Sequence, residues 1–161
     1  WALIGRERHV GSAREGFLPY PVRALRTPEF LYIRNFKPDR WPMGDPLEIG
    51  KEKPDMDLIA KNTCAGIADL DFAPTKTWYV ENRNSEELAP YLEWAWMPRP
   101  GEELYEISSD PHQVKNLAAD PAHAKTLEKL RSQLMAELKA NDDPRLTDAF
   151  DHLPYCVQRA K

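Results

Sequence analysis

The sequence predicts an α+β fold: a small antiparallel sheet of about four strands with a long C-terminal helix packed across it. Three observations carry that prediction. Tyr20-Pro21-Val22-Arg23-Ala24-Leu25-Arg26 and Phe30-Leu31-Tyr32-Ile33-Arg34-Asn35-Phe36 alternate in character on either side of a Thr27-Pro28-Glu29 turn, the pattern of two paired strands. Glu103-Leu104-Tyr105-Glu106-Ile107 reads as a further short strand. Leu127, Leu130, Leu134 and Leu138 recur at i, i+3, i+7 and i+11, one apolar stripe on a helix from Ala122 to about Ala140.

Taken in order, Trp1 to Ile4 reads as a short buried strand, followed by the polar run Gly5-Arg6-Glu7-Arg8-His9. Val10 to Pro19 is a loop, and the strand pair follows. Four prolines (38, 42, 46 and 54) with Gly44 and Gly50 exclude regular structure over most of 37–57, and Trp41, Pro42 and Met43 are placed to pin that loop. Loops of this length are uncommon unless functional. Leu58 to Ile67 is open to an irregular or a helical reading. A turn over Asp69–Pro74 leads into a helix through Lys76, Trp78, Tyr79 and Val80. Ser85 suits a helix cap, with a helix running on through Tyr91, Leu92 and Trp96 despite Pro90. Trp94 and Trp96, two apart, cannot share a helix face. Asp110-Pro111 predicts a short helix closed by Asn116-Leu117-Ala118, and Asp120-Pro121 uses the same cap-and-proline device to open the long helix. From Asn141 the chain reads as an extended tail.

The 161 residues are enough to bury a core, and a net charge of −4 with 42% hydrophobic residues argues against a nucleic-acid tail or a disordered chain. No run approaches the ~18–20 apolar residues of a membrane span. Cys64 and Cys156 leave pairing open. The chain starts at Trp1, inside what reads as a strand, which suggests a piece of a longer protein.

The chemistry is sparse. There is no Gly-rich phosphate loop, no paired Cys-x-x-Cys and no Gly-x-Ser-x-Gly elbow. Asp69 and Asp71 admit a metal reading, but the helix end before Pro74-Thr75 accounts for them better, and no metal residue is assigned. His112, His123 and His152 have helix-start or tail explanations. Trp78, Tyr79, Tyr91, Trp94 and Trp96 are open to a sugar-stacking role or to core packing. Basic residues concentrate in the first forty positions, consistent with an anionic ligand or with protected strand edges. His9, beside Arg6 and Arg8, is where an anion or a proton could be handled. The competing reading is a surface ion cluster of Arg8 with Glu7 or Glu15.

The run Glu103-Leu104-Tyr105-Glu106-Ile107-Ser108-Ser109-Asp110-Pro111-His112-Gln113-Val114-Lys115-Asn116-Leu117-Ala118 resembles the near-C-terminal signature of the sulfatases, Glu-Leu-Tyr-Asp then Asp-Pro then Asn-Leu-Ala, with Glu106 in place of the usual Asp. The segment from Gly5 to His9, Tyr20-Pro21-Val22-Arg23 and Arg34-Asn35-Phe36 is similar to the branch related to heparan N-sulfatase. The likeness runs from about Gly5 to about Arg145.

The resemblance implies a sulfatase C-terminal domain over 1–145, with an extended tail over 146–161. It implies a periplasmic or extracellular enzyme whose N-terminal catalytic domain is a separate part. That part would carry a formylglycine nucleophile, made within Cys/Ser-x-Pro-x-Arg, and a calcium ion. Neither Cys64 nor Cys156 lies in that motif, so this chain alone is expected to hold no catalytic residue and no cofactor, and to be inactive. The implied substrate is a sulfated carbohydrate, N-sulfoglucosamine being one possibility. His9, with Arg8 and Glu7, is the implied substrate contact. Arg14 and Arg23 are further candidates, Arg23 alternatively anchoring the sheet. The rival functions are a non-catalytic carbohydrate- or protein-binding module and a phosphonate monoester hydrolase relative.

Overall fold

The alternation about Thr27-Pro28-Glu29 becomes a hairpin of β2 (Val22–Arg26) and β3 (Phe30–Asn35), closed by Thr27, whose N–H and hydroxyl bond the Phe30 carbonyl. β1 (Ala2–Arg6) pairs with β2 and β4 (Glu102–Glu106) with β3, giving an antiparallel four-stranded sheet in the order β1-β2-β3-β4. The computed structural model describes residues 1–62, 65–71 and 73–152. Cys64, Cys156 and their pairing lie outside the described residues, as does the end of the predicted tail. Contacts divide the chain into two compact units, where the sequence reading set one boundary at 145.

The first unit comprises Trp1–Glu7, Tyr20–Pro38 and, among the described residues, 99–152. Register places Leu25 opposite Tyr32 and Tyr32 opposite Leu104, one apolar row across three strands. The helix with the leucine stripe (Ala124–Ala140) covers that row, and Leu127, Leu130, Leu134 and Leu138 join Leu25, Tyr32, Leu104 and Leu117 in one core. Leu134 and Leu138 are fully buried, each contributing about 1.5–3 kcal/mol by leaving water. The opposite face is polar within: the buried Glu103 carboxylate accepts from Asn35 Nδ2 at 2.6 Å and from the Tyr105 hydroxyl at 2.5 Å.

Three expectations are corrected here. β1 is exposed throughout: unlike the other edge strand, β4, whose Leu104 joins the helix-covered core, it contributes no residue to that core. Asp110-Pro111 opens a turn, not a helix. The Asp110 carboxylate accepts from Val114 and Lys115 N–H, and Gln113 at φ 56° interrupts any helical run. Asn116 then splices the loop onto β4, its Oδ1 accepting from Leu104 N–H and its Nδ2 donating to Glu102 O. Over the described residues 142–152 the chain after Asn141 is not extended. Asp143 caps a 3-10 turn over Pro144–Thr147, and a second turn spans Ala149–Asp151. The cap-and-proline device of Asp120-Pro121 recurs at Asp143-Pro144.

The second unit comprises Arg8–Pro19 and Asp39–Pro98. Its helices, numbered with the long one as α4, are α1 (Met56–Lys61), α2 (Pro74–Glu81) and α3 (Ala89–Ala95). α3 starts at Ala89, four residues after Ser85, because Pro90 is tolerated only in a first turn. Ile59, Ala65, Ile67, Val80, Leu88, Leu92 and Trp96 form its core. Trp96 is buried and Trp94 exposed, as their spacing required.

Candidate functional site

Five residues carry the site prediction, and they fall in both units. Glu7 and Arg23 belong to the sheet unit; Arg8, His9 and Arg14 belong to the other.

In the sheet unit, Arg23 projects from β2 on the helix-facing side. Its cross-strand neighbour is Gly5, and the missing side chain there lets the arginine lie over β1. Nε donates to Asp143 Oδ2 at 2.7 Å and Nη2 to Asp143 Oδ1 at 2.9 Å; Nη2 also meets Glu7 Oε1 at 2.8 Å. Burial works to lower the Arg23 pKa, and the hydrogen bonds and charges of Asp143 and Glu7 outweigh it, leaving it raised. Glu7 also binds Arg145, whose side chain is fully buried and further paired with Asp148 at 3.0 Å and Asp151 at 2.8 Å. For Arg145 too, burial acts downward and the bonds to Glu7 and Asp151 prevail. A guanidinium already matched to two carboxylates and withdrawn from water has little capacity left for an incoming anion. Arg23 has the partners expected of a sheet anchor, the alternative to substrate contact. A cavity of about 350 Å³ lined by Leu3, Gly5, Arg6, Glu7, Arg23 and Asp143 adjoins this cluster.

In the second unit, Arg14 is buried and donates to the backbone carbonyls of Trp41 (Nε, 3.0 Å) and Pro42 (Nη2, 2.9 Å). It pins the proline-rich loop. Arg8 is half-buried. His9 is different. Its side chain is 70% exposed, yet its Nδ1 sits 2.9 Å from Oδ1 of Asp69, whose side chain is 1% exposed. Asp69 itself is held by its N–H to the Met43 carbonyl, 2.9 Å. Gly44, at φ 87°, makes that approach possible: a Cβ there would stand 2.8 Å from Ala13 O and 3.0 Å from Asp69 N. Asp69 is thus not helix-end chemistry; α2 begins at Pro74 with no side-chain cap.

A carboxylate that bonds Nδ1 sets the tautomer and turns Nε2 outward. In the neutral ring such a nitrogen carries the lone pair, so it can accept from a hydroxyl or take up its proton. Among the described residues no group of three or more His, Cys, Asp or Glu side chains is arranged to hold a metal ion.

Sequence reasoning missed Asp69 as the partner of His9, sixty residues away, and missed Arg145 and Asp143. The last two had a readable signal in Asp143-Pro144, a capped start like Asp120-Pro121. The His9–Asp69 pairing had none.

No family model matches the chain. It is 29% identical over 129 residues to an ulvan-active sulfatase of Formosa agariphila, spanning 80% of this chain and 18% of that protein. It is 30% identical over 146 residues to N-sulphoglucosamine sulphohydrolase of Homo sapiens, spanning 89% of this chain and 24% of that protein. The chain thus spans a quarter or less of the length of these curated relatives.

Proposed function

Starting from a chain related in sequence to sulfatases over most of its length, we propose that it is the C-terminal part of an enzyme that hydrolyses sulfate esters or sulfamates of sulfated carbohydrate. N-sulfoglucosamine is one such substrate, the one for which the human relative is named. The rest of the protein supplies the formylglycine nucleophile and the calcium ion, and the whole acts in an extracellular or periplasmic space. No helix among the described residues is long and apolar enough to cross a membrane.

The observation that carries the reading within this chain is the His9–Asp69 pair: an outward ring nitrogen fixed in direction by a buried carboxylate. With Nδ1–H given to the Asp69 carboxylate, the outward Nε2 of His9 accepts from a substrate hydroxyl, and Asp69 keeps it aimed. Arg8 adds positive charge beside it. Glu7 and Arg23 hold the strand end from which this segment leaves the sheet, and Arg14 holds the loop that carries Met43. These three have a supporting role, each within its own unit.

The test uses the full-length protein, with sulfate release followed by ion chromatography from an aryl sulfate and from N-sulfoglucosamine. Losing one ordinary hydrogen bond is worth about 0.5–1.5 kcal/mol, so His9→Ala lowers kcat/KM by roughly 2- to 12-fold. Unchanged kinetics would remove His9 from the site. Phosphate release without sulfate release would replace the sulfatase reading by the phosphonate monoester hydrolase one.

A further inference from the structure

The second unit contains a cleft of about 200 Å³, lined by Trp41, Ile49, Arg83, Asn84, Leu92, Trp96 and Met97. We propose that this cleft is a saccharide subsite that takes a single acidic pyranose ring, a uronate or a sulfated hexose. The choice of a sugar rests on the substrate class proposed above.

Three features select that ligand. The first is size: the cleft is smaller than the ~300–1,000 Å³ typical of sites for drug-sized molecules, so it holds one ring. The second is the wall. Two indoles with Leu92 and Met97 suit the C–H face of a pyranose, while the amide of Asn84 suits its hydroxyls. The walls are held from behind: Trp41 O receives Arg14, and Trp96 packs edge-on against Tyr79 with centroids 5.3 Å apart. The third is charge. Arg83 donates three N–H groups to backbone carbonyls, of Val80 (2.9 Å), Lys51 (2.9 Å) and Glu52 (3.0 Å). It forms no ion pair with a carboxylate among the described residues. An arginine immobilised by carbonyl dipoles, with its formal charge unmatched, offers its remaining N–H groups to an anion. This contrasts with Arg23 and Arg145, whose charges are met by carboxylates.

The experiment is a titration of the protein followed by indole N–H resonances of Trp41 and Trp96. The probes are glucuronate, glucose and cyclohexanecarboxylate, the last having a ring and a charge but no hydroxyls. Glucuronate is expected to give saturable shifts at both indoles, with binding at least tenfold tighter than for either other probe. Trp41→Ala is expected to weaken glucuronate at least tenfold, and Arg83→Gln to erase its advantage over glucose. Trp94→Ala, at an exposed tryptophan outside the cleft, leaves binding unchanged. No shift with glucuronate, equal binding of glucose, or equal binding of cyclohexanecarboxylate would each overturn the assignment. The wild-type titration decides this even where a variant fails to fold. Sulfate release from an aryl sulfate by the full-length protein reads the proposed function separately. Release without glucuronate binding sinks the subsite alone, and binding without release sinks the hydrolase reading alone.

Discussion

Replacing Arg145 by Ala removes the most deeply buried charge among the described residues. The guanidinium has no exposed surface and meets three carboxylates, of Glu7, Asp151 and Asp148. Their contributions differ. Asp148 is 47% exposed, so water screens it and its bridge adds little. Glu7 is 17% exposed and Asp151 7%, and these two carry the cost. Removing one partner of a buried ion pair typically destabilises by about 3–5 kcal/mol, because the charge left behind is withdrawn from water without its counter-ion. Arg23 still faces Glu7 at 2.8 Å, which places the loss toward the lower end. About 3 kcal/mol corresponds to a fall in Tm of roughly 6–12 °C for a chain of this size. The assay is thermal unfolding followed by circular dichroism at pH 7, with Arg145→Lys alongside. Lysine keeps the charge but cannot bridge three carboxylates with a planar fork, so it recovers only part of the loss. A Tm within 2 °C of wild type for Arg145→Ala would refute the reasoning, since the cluster would then be a surface pair in energetic terms.

Four more outcomes are expected. Asp69→Asn lowers kcat/KM for sulfate release in the full-length protein about as much as His9→Ala, and the double variant loses little more; additive losses would show that the two do not act as a unit. Gly44→Ala destabilises by about 1–3 kcal/mol in urea unfolding, since it forces a side chain into φ 87° and against Ala13 O and Asp69 N; an unchanged midpoint would contradict this. Leu134→Ala, in the fully buried stripe, costs about 2–5 kcal/mol in the same assay, and a loss below 1 kcal/mol would mean the helix is not seated on the sheet. Acid weakens the sheet unit through two carboxylates. Burial acts to raise the Asp143 pKa, and the Arg23 hydrogen bond, Arg145 N–H and Arg23 charge outweigh it. The Arg131 hydrogen bond, against burial, lowers that of Glu102. Both folded values lie below the ordinary carboxylate range near ~4, so this stability is present above that range and is lost as pH falls through the depressed values. Tm therefore holds from pH 7 to 5 and drops below pH 4, with a shallower drop in Asp143→Asn; equal acid limbs for the two proteins would refute the assignment.

The resemblance to sulfatases was legible because its signature is local, and the structure gives that signature a physical role. Asp110 closes a turn through two backbone N–H groups, Asn116 joins that loop to β4, and Leu117 enters the core. Each part acts within fourteen residues, so each leaves a compact mark. Of the site, His9 stood out by its basic neighbours. Its partner did not, and Arg8 with Glu7 was the natural ion pair to expect from adjacency. Glu7 instead pairs with Arg23 and Arg145, the latter 138 residues on, because register brings Arg23 to the strand end and the Asp143 turn folds Arg145 beneath it.

From the order of residues alone one could know the hairpin, the leucine stripe, the capped start at Asp120-Pro121 and hence the α+β class, since alternation, period and capping act over a turn or a strand length. Folding was needed to show that β1 is a bare edge, that Arg23 is neutralised while Arg83 is not, and that an exposed histidine is steered by a hidden aspartate. Those properties depend on which distant side chains meet and on how much water remains around them. A linear pattern records neither.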